Sequence, residues 1–355
     1  MAPSADPPAT TNGASTSKEP LTLYEVSTQY KHWRFTPSQL EQRRRSMNEV
    51  AVNAIRQVHE AEEEGSSSRI SFLTFEDELL LVKQYLTTIP KMCKLHQFPE
   101  EVEATAMSFL KRFYLKNTVM DWHPRNVMLT AIYLATKTTN NPMAVDQYVA
   151  SIPRTTPNDV LELEFLVAQS LNFQLAVWGA HRAVWGIWLD LQTLPDWNKN
   201  EAQESFNLAQ EHVSASRLTD AEFIYAPSQI AAAAWHLANP SLLEKWLAAK
   251  KESGALPLIR EIGTLIEKEG NAPDLAVAKD VDARLKICKN PEKVEGSKAY
   301  LRRLATEEEE AEEKRKKKAE RAAKALAEDP FASEPLTGVV QNGTKISNVD
   351  MEDDD

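Results

Sequence analysis

Between Asn126 and Thr136 the chain runs NVMLTAIYLAT, without a single charge, bracketed by Arg125 and Lys137. Val127, Met128, Leu129, Ala131, Ile132, Leu134 and Ala135 cover nearly every side of a helix wound from these residues. A helix that is apolar all round has no face to give to water, so it belongs inside a bundle. Pro124 suits its first turn, where a missing N–H has no helical partner to lose. The stretch therefore predicts the central helix of an all-α domain, with Lys137 as the first charge to emerge after Arg125. Pro99 to Lys116 predicts a second helix, delivered to the first by a short loop.

The design recurs about one hundred residues later. Pro227-Ser-Gln-Ile-Ala-Ala-Ala-Ala-Trp-His-Leu-Ala238 aligns with Pro124-Arg-Asn-Val-Met-Leu-Thr-Ala-Ile-Tyr-Leu-Ala135, and each copy is followed by an Asn-Pro turn, Asn141-Pro142 and Asn239-Pro240. Two copies are too few for a solenoid, so a duplicated globular domain is expected. The length of 355 residues leaves room for two such domains and flanking tails.

Composition removes several function classes. A formal net charge of −11 argues against nucleic acid as the main ligand, because phosphate neutralisation needs clustered Lys and Arg. Of ten glycines none falls between Gly65 and Gly179, so the first domain holds no glycine-rich phosphate loop. Cys93 and Cys288 read as small apolar fillers in a reducing compartment, not as a disulfide or metal framework. No apolar run approaches the ~18 residues of a membrane span, and the start MAPSADPPATT is not a signal peptide. No cofactor or metal is expected.

In chain order, residues 1–20 read as a disordered leader, rich in Pro, Ser, Thr and Ala. Residues 21–62 combine an aromatic segment with a helix whose start, Thr36-Pro37 with Gln39, is a capping box with proline at its first position. Tyr24, His32, Trp33 and Phe35 are the docking residues of this segment, with Tyr24, Trp33 and Phe35 anchoring the helix on the main body. The first domain, 70–175, should contain five helices: Thr74–Leu95, Pro99–Lys116, Pro124–Lys137, Ala144–Ile152 and Asn158–Leu171. The second, 178–270, should repeat the count with His181–Leu194, Lys199–Ala215, Pro227–Ala238, Ser241–Ala249 and Leu256–Glu267. Residues 273–304 carry a C-terminal amphipathic helix, Asp274–Lys289. Residues 305–355 hold a charged, solvated helix and a disordered tail. In that helix Glu310→Lys314, Glu312→Lys316 and Glu313→Lys317 are i,i+4 pairs worth roughly 0.2–0.5 kcal/mol each, and Lys314 to Lys318 suit a nuclear-import patch.

The seven histidines are scattered and form no H-x-x-x-H pattern, and there is no G-x-S-x-G elbow. Catalysis by this chain is therefore not expected. Glu164 is more informative. Val160, Val167 and Leu171 stand at i−4, i+3 and i+7 from it, which places the acid within an apolar stripe, where an unpaired carboxylate is costly. Lys137 is its natural partner. The two either pair with each other or reach outward to hold another protein's backbone. Glu78 and Lys111 occupy similar positions on the first two helices of the first domain, and an internal bridge between them is expected.

The block FLKRFYLKNTVMDWHPRNVMLTAIYLATK, the second block LTDAEFIYAPSQIAAAAWHLA and the two five-helix repeats resemble the cyclin box fold. The leader STQYKHWRF, followed by a capped helix, is similar to the transcription-type cyclins of the cyclin H family, over roughly residues 21 to 290. That resemblance implies a regulatory subunit of the cyclin-dependent-kinase-activating kinase within general transcription factor IIH. Its partners would be the kinase's αC helix, an assembly subunit and the core of the factor, in the nucleus, with no direct nucleic acid and no membrane. The bound kinase would phosphorylate other kinases' activation loops and the RNA polymerase II C-terminal domain. The resemblance further implies that Lys137 and Glu164 hydrogen-bond main-chain groups of the kinase. Many cyclins carry acids directly after the central lysine, where this chain has Thr138, Thr139 and Asn140, so part of that contact has no counterpart. Cell-cycle cyclins also bridge an arginine on the first helix to an aspartate on the second. Here Glu78 and Lys111 take those places with the charges exchanged, which argues against substrate docking through that groove. Two alternatives stay open: a transcription cyclin paired with a different kinase, and a cyclin-fold adaptor of the transcription factor IIB type.

Overall fold

The computed structural model describes residues 21–195 and 198–328, all helix and connecting segment with no strand among them. The expected disordered leader and the end of the tail lie outside the described residues. The chain divides into two units, 1–294 and 295–355.

The first unit opens with a short helix, Thr28–His32 (α1), whose amide at Tyr30 is capped by the Ser27 hydroxyl. Pro37–Glu62 (α2) follows and starts with the capping box that Thr36 and Gln39 announce. The first repeat is Phe75–Leu86 (α3), Ile89–Leu95 (α4), Glu100–Phe113 (α5), Pro124–Thr138 (α6), Val145–Val149 (α7), Pro157–Leu161 (α8) and Glu164–Ser170 (α9). The second is Ala180–Leu191 (α10), Lys199–Ser216 (α11), Ala221–Ile224 (α12), Pro227–Ala238 (α13), Pro240–Lys250 (α14) and Leu256–Glu269 (α15). Leu275–Cys288 (α16) then packs against α3.

Every residue of α6 from Val127 to Thr136 is buried, with α5, α3, α4, α8 and α9 around it. Its two buried threonine hydroxyls are satisfied within the protein, as burial requires. Thr130 donates to the Val160 carbonyl at 3.1 Å, and Thr136 to the Tyr133 carbonyl at 2.7 Å. In the second repeat α13 holds the same place among α10, α11, α14 and α15. There the buried run Ala231–Ala234 leaves space for close neighbours, while Trp235 fills the remainder and donates its indole N–H to the Val184 carbonyl at 3.1 Å.

Two expected helices are each broken in two. Thr74–Leu95 stops at Leu86 and restarts at Ile89, because Pro90 supplies no N–H and crowds the carbonyl four residues back. Asn158–Leu171 breaks at Glu162 and Leu163, leaving the Val160 carbonyl free to accept the Thr130 hydroxyl. The expected helix Asp274–Lys289 forms as α16, Leu275–Cys288.

The second unit contains one long helix, Lys298–Glu328 (α17). Its pairs Glu310–Lys314, Glu312–Lys316 and Glu313–Lys317 close at 3.5, 2.8 and 2.6 Å.

Candidate functional site

Lys137 is where α6 returns to solvent after its buried run, one residue before its end. Its Nζ lies 2.6 Å from Glu164 Oε1 and 4.4 Å from the centre of the Tyr133 ring. The two side chains keep 40% and 24% of their exposure. An ion pair this wet stabilises a fold by only about 0.2–1 kcal/mol. It is therefore a weak structural contact, and both groups can take new hydrogen-bond partners at little cost to the body beneath them.

Two phenylalanines follow Glu164, one in α9 and one just after it. Phe165 and Phe173 are 67% and 59% exposed, with ring centroids 6.0 Å apart. Phe173 and its neighbour Asn172 both have left-handed backbones, φ +54° and +53°. That conformation is tolerated by Asn but uncommon for a bulky side chain, where it costs roughly 1–3 kcal/mol and persists only where the surroundings impose it. Here they do: the Phe173 N–H donates to the Ala168 carbonyl at 2.9 Å, and Lys116 Nζ donates to Asn172 Oδ1 at 2.8 Å. The turn therefore holds the Phe173 ring out into water against Phe165, the residue after Glu164. Sequence periodicity missed both rings, because the apolar spacing of Val160, Val167 and Leu171 runs on through the α8–α9 break.

Glu78 and Lys111 do not form the expected bridge. The Glu78 carboxylate accepts from Asn48 Nδ2 at 2.6 Å, Thr118 Oγ1 at 2.8 Å and the Val119 N–H at 2.8 Å. Burial pushes this carboxyl up, against the pull of those three donors. Lys111 turns instead to the second repeat, donating to the Thr219 carbonyl at 3.0 Å and lying 3.3 Å from Glu222 Oε1. The reason is competition: nearer donors satisfy the acid, and the α11–α12 turn of the second repeat offers the amine both a carbonyl and a carboxylate.

The aromatic leader packs as a seal over the repeat junction. Trp33 is buried, and its Nε1–H donates to Gln174 Oε1 at 2.8 Å. Tyr24 meets Trp178 edge-on at 6.1 Å, and Phe35 meets Phe223 at 6.2 Å while its N–H donates to the Phe223 carbonyl. His32 is exposed, so docking of this segment rests on the other three.

Among the described residues no cluster of three or more His, Cys, Asp or Glu could hold a metal, and no helix is long and apolar enough to cross a membrane.

The cyclin N-terminal domain model matches residues 82–176, and the cyclin C-terminal domain model matches 179–268. Cyclin mcs2 of Schizosaccharomyces pombe is 32% identical over 316 residues, covering 87% of this chain and 98% of that protein. Cyclin-H of Xenopus laevis is 34% identical over 218 residues, 59% of this chain and 66% of that one. The chain belongs to the cyclin H family. Among solved structures, a chain of the CAK complex of Chaetomium thermophilum bound to ATP-γ-S superposes on this family member with a TM-score of 0.72 at 28% identity. That match covers 80% of this chain and 94% of the other. A chain of the yeast TFIIK (Kin28/Ccl1/Tfb3) complex gives a TM-score of 0.58 at 29% identity, covering 68% of this chain and all of that one. For a cyclin H the two matched domains coincide with the two helical repeats, and Lys137, Glu164, Phe165 and Phe173 all lie within the first.

Proposed function

We propose that this chain is the regulatory subunit of a cyclin-dependent kinase of the TFIIH type, which it binds through the face carrying Lys137 and Glu164 and switches on by selecting its active shape. The observation that carries the reading is the half-wet Lys137–Glu164 pair at the end of a fully packed helix, with two solvent-facing phenylalanines in and just after the helix that Glu164 begins. The amine and the carboxylate exchange their mutual contact for main-chain groups at the kinase's αC helix, and Phe165 and Phe173 fill apolar hollows beside it.

A kinase whose αC helix is swung out cannot pair its αC glutamate with the β3 lysine and is inactive. A rigid helical face that fits only the inward position draws the population toward it. Shifting the ratio from 1:99 to 99:1 takes about 5.5 kcal/mol of differential affinity, which a well-packed interface supplies. The chain makes and breaks no covalent bond. The bound kinase phosphorylates activation loops of other kinases and the C-terminal domain of RNA polymerase II. A third, assembling subunit and the core of TFIIH complete the partners, and the work is nuclear. Support for this comes from the family and from the complexes in which the two structural relatives were solved.

The test is the variant carrying Lys137→Ala and Glu164→Ala. Its kinase affinity and activation should fall about tenfold or more, with helix content and melting point unchanged. Full activation by the double variant would overturn the reading. Mass spectrometry of the co-purified kinase distinguishes the TFIIH-type enzyme from another transcription kinase.

A further inference from the structure

The turn that presents Phe173 is held from a distant part of the chain. Gln174, the next residue, is fixed at two atoms. Its side-chain Oε1 accepts from Trp33 Nε1 at 2.8 Å, and its carbonyl accepts from Arg112 Nη1 at 3.4 Å. The Trp33 ring lies beneath two cations, 5.1 Å from the guanidinium carbon of Arg112 in α5 and 5.2 Å from Nζ of Lys116 just beyond it. Lys116 is also the residue that bonds Asn172 Oδ1, and Arg112 donates to Gln29 Oε1 in the leader at 3.0 Å. Trp33 thus touches, directly or through one cation, the residues on both sides of Phe173. The left-handed pair Asn172–Phe173 has no glycine to make it easy, so its geometry draws on these contacts as well as on the Phe173 N–H bond to the Ala168 carbonyl.

We infer that Trp33 is a positioning residue: it locks the 172–174 turn and thereby aims Phe173 at the partner kinase, without touching the kinase itself. This rests on the binding reading given above and adds how the aromatic leader, 140 residues away in sequence, contributes to it. Burial supports the assignment. Trp33 is 2% exposed and has no free face for a partner, whereas Phe173 is 59% exposed. A leader acting by direct contact would have the opposite pattern.

The test uses the full chain and two variants that approach the same bond from either side, Trp33→Phe and Gln174→Leu. Both keep an apolar body in place and remove the hydrogen bond. Hydrogen exchange read by mass spectrometry on the segment around 168–178 should quicken about tenfold in each, with the melting point shifted little. Kinase affinity should drop about five- to tenfold in each, and Trp33→Phe added to Phe173→Ala should cost no more than Phe173→Ala alone. Unchanged exchange in both variants would overturn the inference. So would faster exchange with full kinase affinity, or losses that add to that of Phe173→Ala. Should Phe173→Ala itself bind normally, the assignment of Phe173 to the kinase face fails and the aiming role falls with it, while normal binding by the Lys137/Glu164 variant would strike the face as a whole.

Discussion

Arg44 of α2 and Asp220, just before α12, meet through two hydrogen bonds of 2.6 and 2.7 Å across 176 residues of sequence. The contact fastens the N-terminal helix to the α11–α12 turn of the second repeat. Burial pushes the Asp220 carboxyl up, but the Arg44 bonds outweigh it, with help from the charges of Lys111 and Lys83, and the net effect holds the group below the usual carboxylate range. Arg44 and Asp220 retain 12% and 25% of their exposure, so the pair is neither fully buried nor a surface contact. Asp220→Asn should therefore cost on the order of 2 kcal/mol, between the surface and buried cases. The sign with pH follows from the lowered folded value. The stabilisation is present above the unfolded pKa of about 4 and is lost as pH falls through the folded one. Urea titrations of wild type and variant should differ at pH 7 and converge below about pH 4.

The revised partners of Glu78 give a second expectation. Asn48→Ala and Glu78→Ala remove two ends of one hydrogen bond of 2.6 Å, so in a double-mutant cycle their effects should couple by about 1 kcal/mol. Glu78 with Lys111→Ala should couple less, since the structure gives the lysine to Thr219 and Glu222 instead. The reverse ranking would restore the bridge that the sequence suggests.

His123 sets up the third. It is the N-cap of α6, accepting the Arg125 N–H at Nδ1 with Nε2 3.0 Å from Asp282. The ring is then neutral, with its proton on Nε2. Burial lowers its pKa, against the pull of Asp282. The unfolded chain accordingly takes up the proton more readily than the folded one, and stability falls as pH drops below about 6.5. Asparagine is a good N-cap that does not titrate. His123→Asn should lose less stability than wild type between pH 7.5 and pH 5, measured by thermal melts. Burial also lowers His96 and His181, so the slope should shrink without vanishing.

The central helices were readable because their information is local. Pro227–Ala238 appears in the structure with the same ends that its proline and its Asn-Pro turn announce, and the Thr36–Gln39 capping box is formed as written. The features that periodicity misread depend on distant groups. Nothing near Glu78 in sequence points to Asn48 or Thr118, 30 and 40 residues away. The α8–α9 break sits inside an uninterrupted apolar pattern, so it is visible only once Thr130 is known to need the Val160 carbonyl. Lys137 and Glu164 could be singled out as a pair from their places on their helices, while the left-handed Asn172–Phe173 turn could not be foreseen: two of the groups that brace it, Lys116 and, through Gln174, Trp33, lie in other parts of the chain.

Lys137 stands at the end of a helix whose preceding ten residues, Val127 to Thr136, are all closed off from solvent. Its mounting is thus already immobile before any partner arrives, and the entropy of fixing it has been spent in folding. A short synthetic peptide copying this stretch would be a marginal helix at best in water and would have to meet that cost on binding. Decoys meant to compete for the partner would accordingly need the entire first repeat, and agents that loosen its interior would weaken the grip without ever touching the lysine.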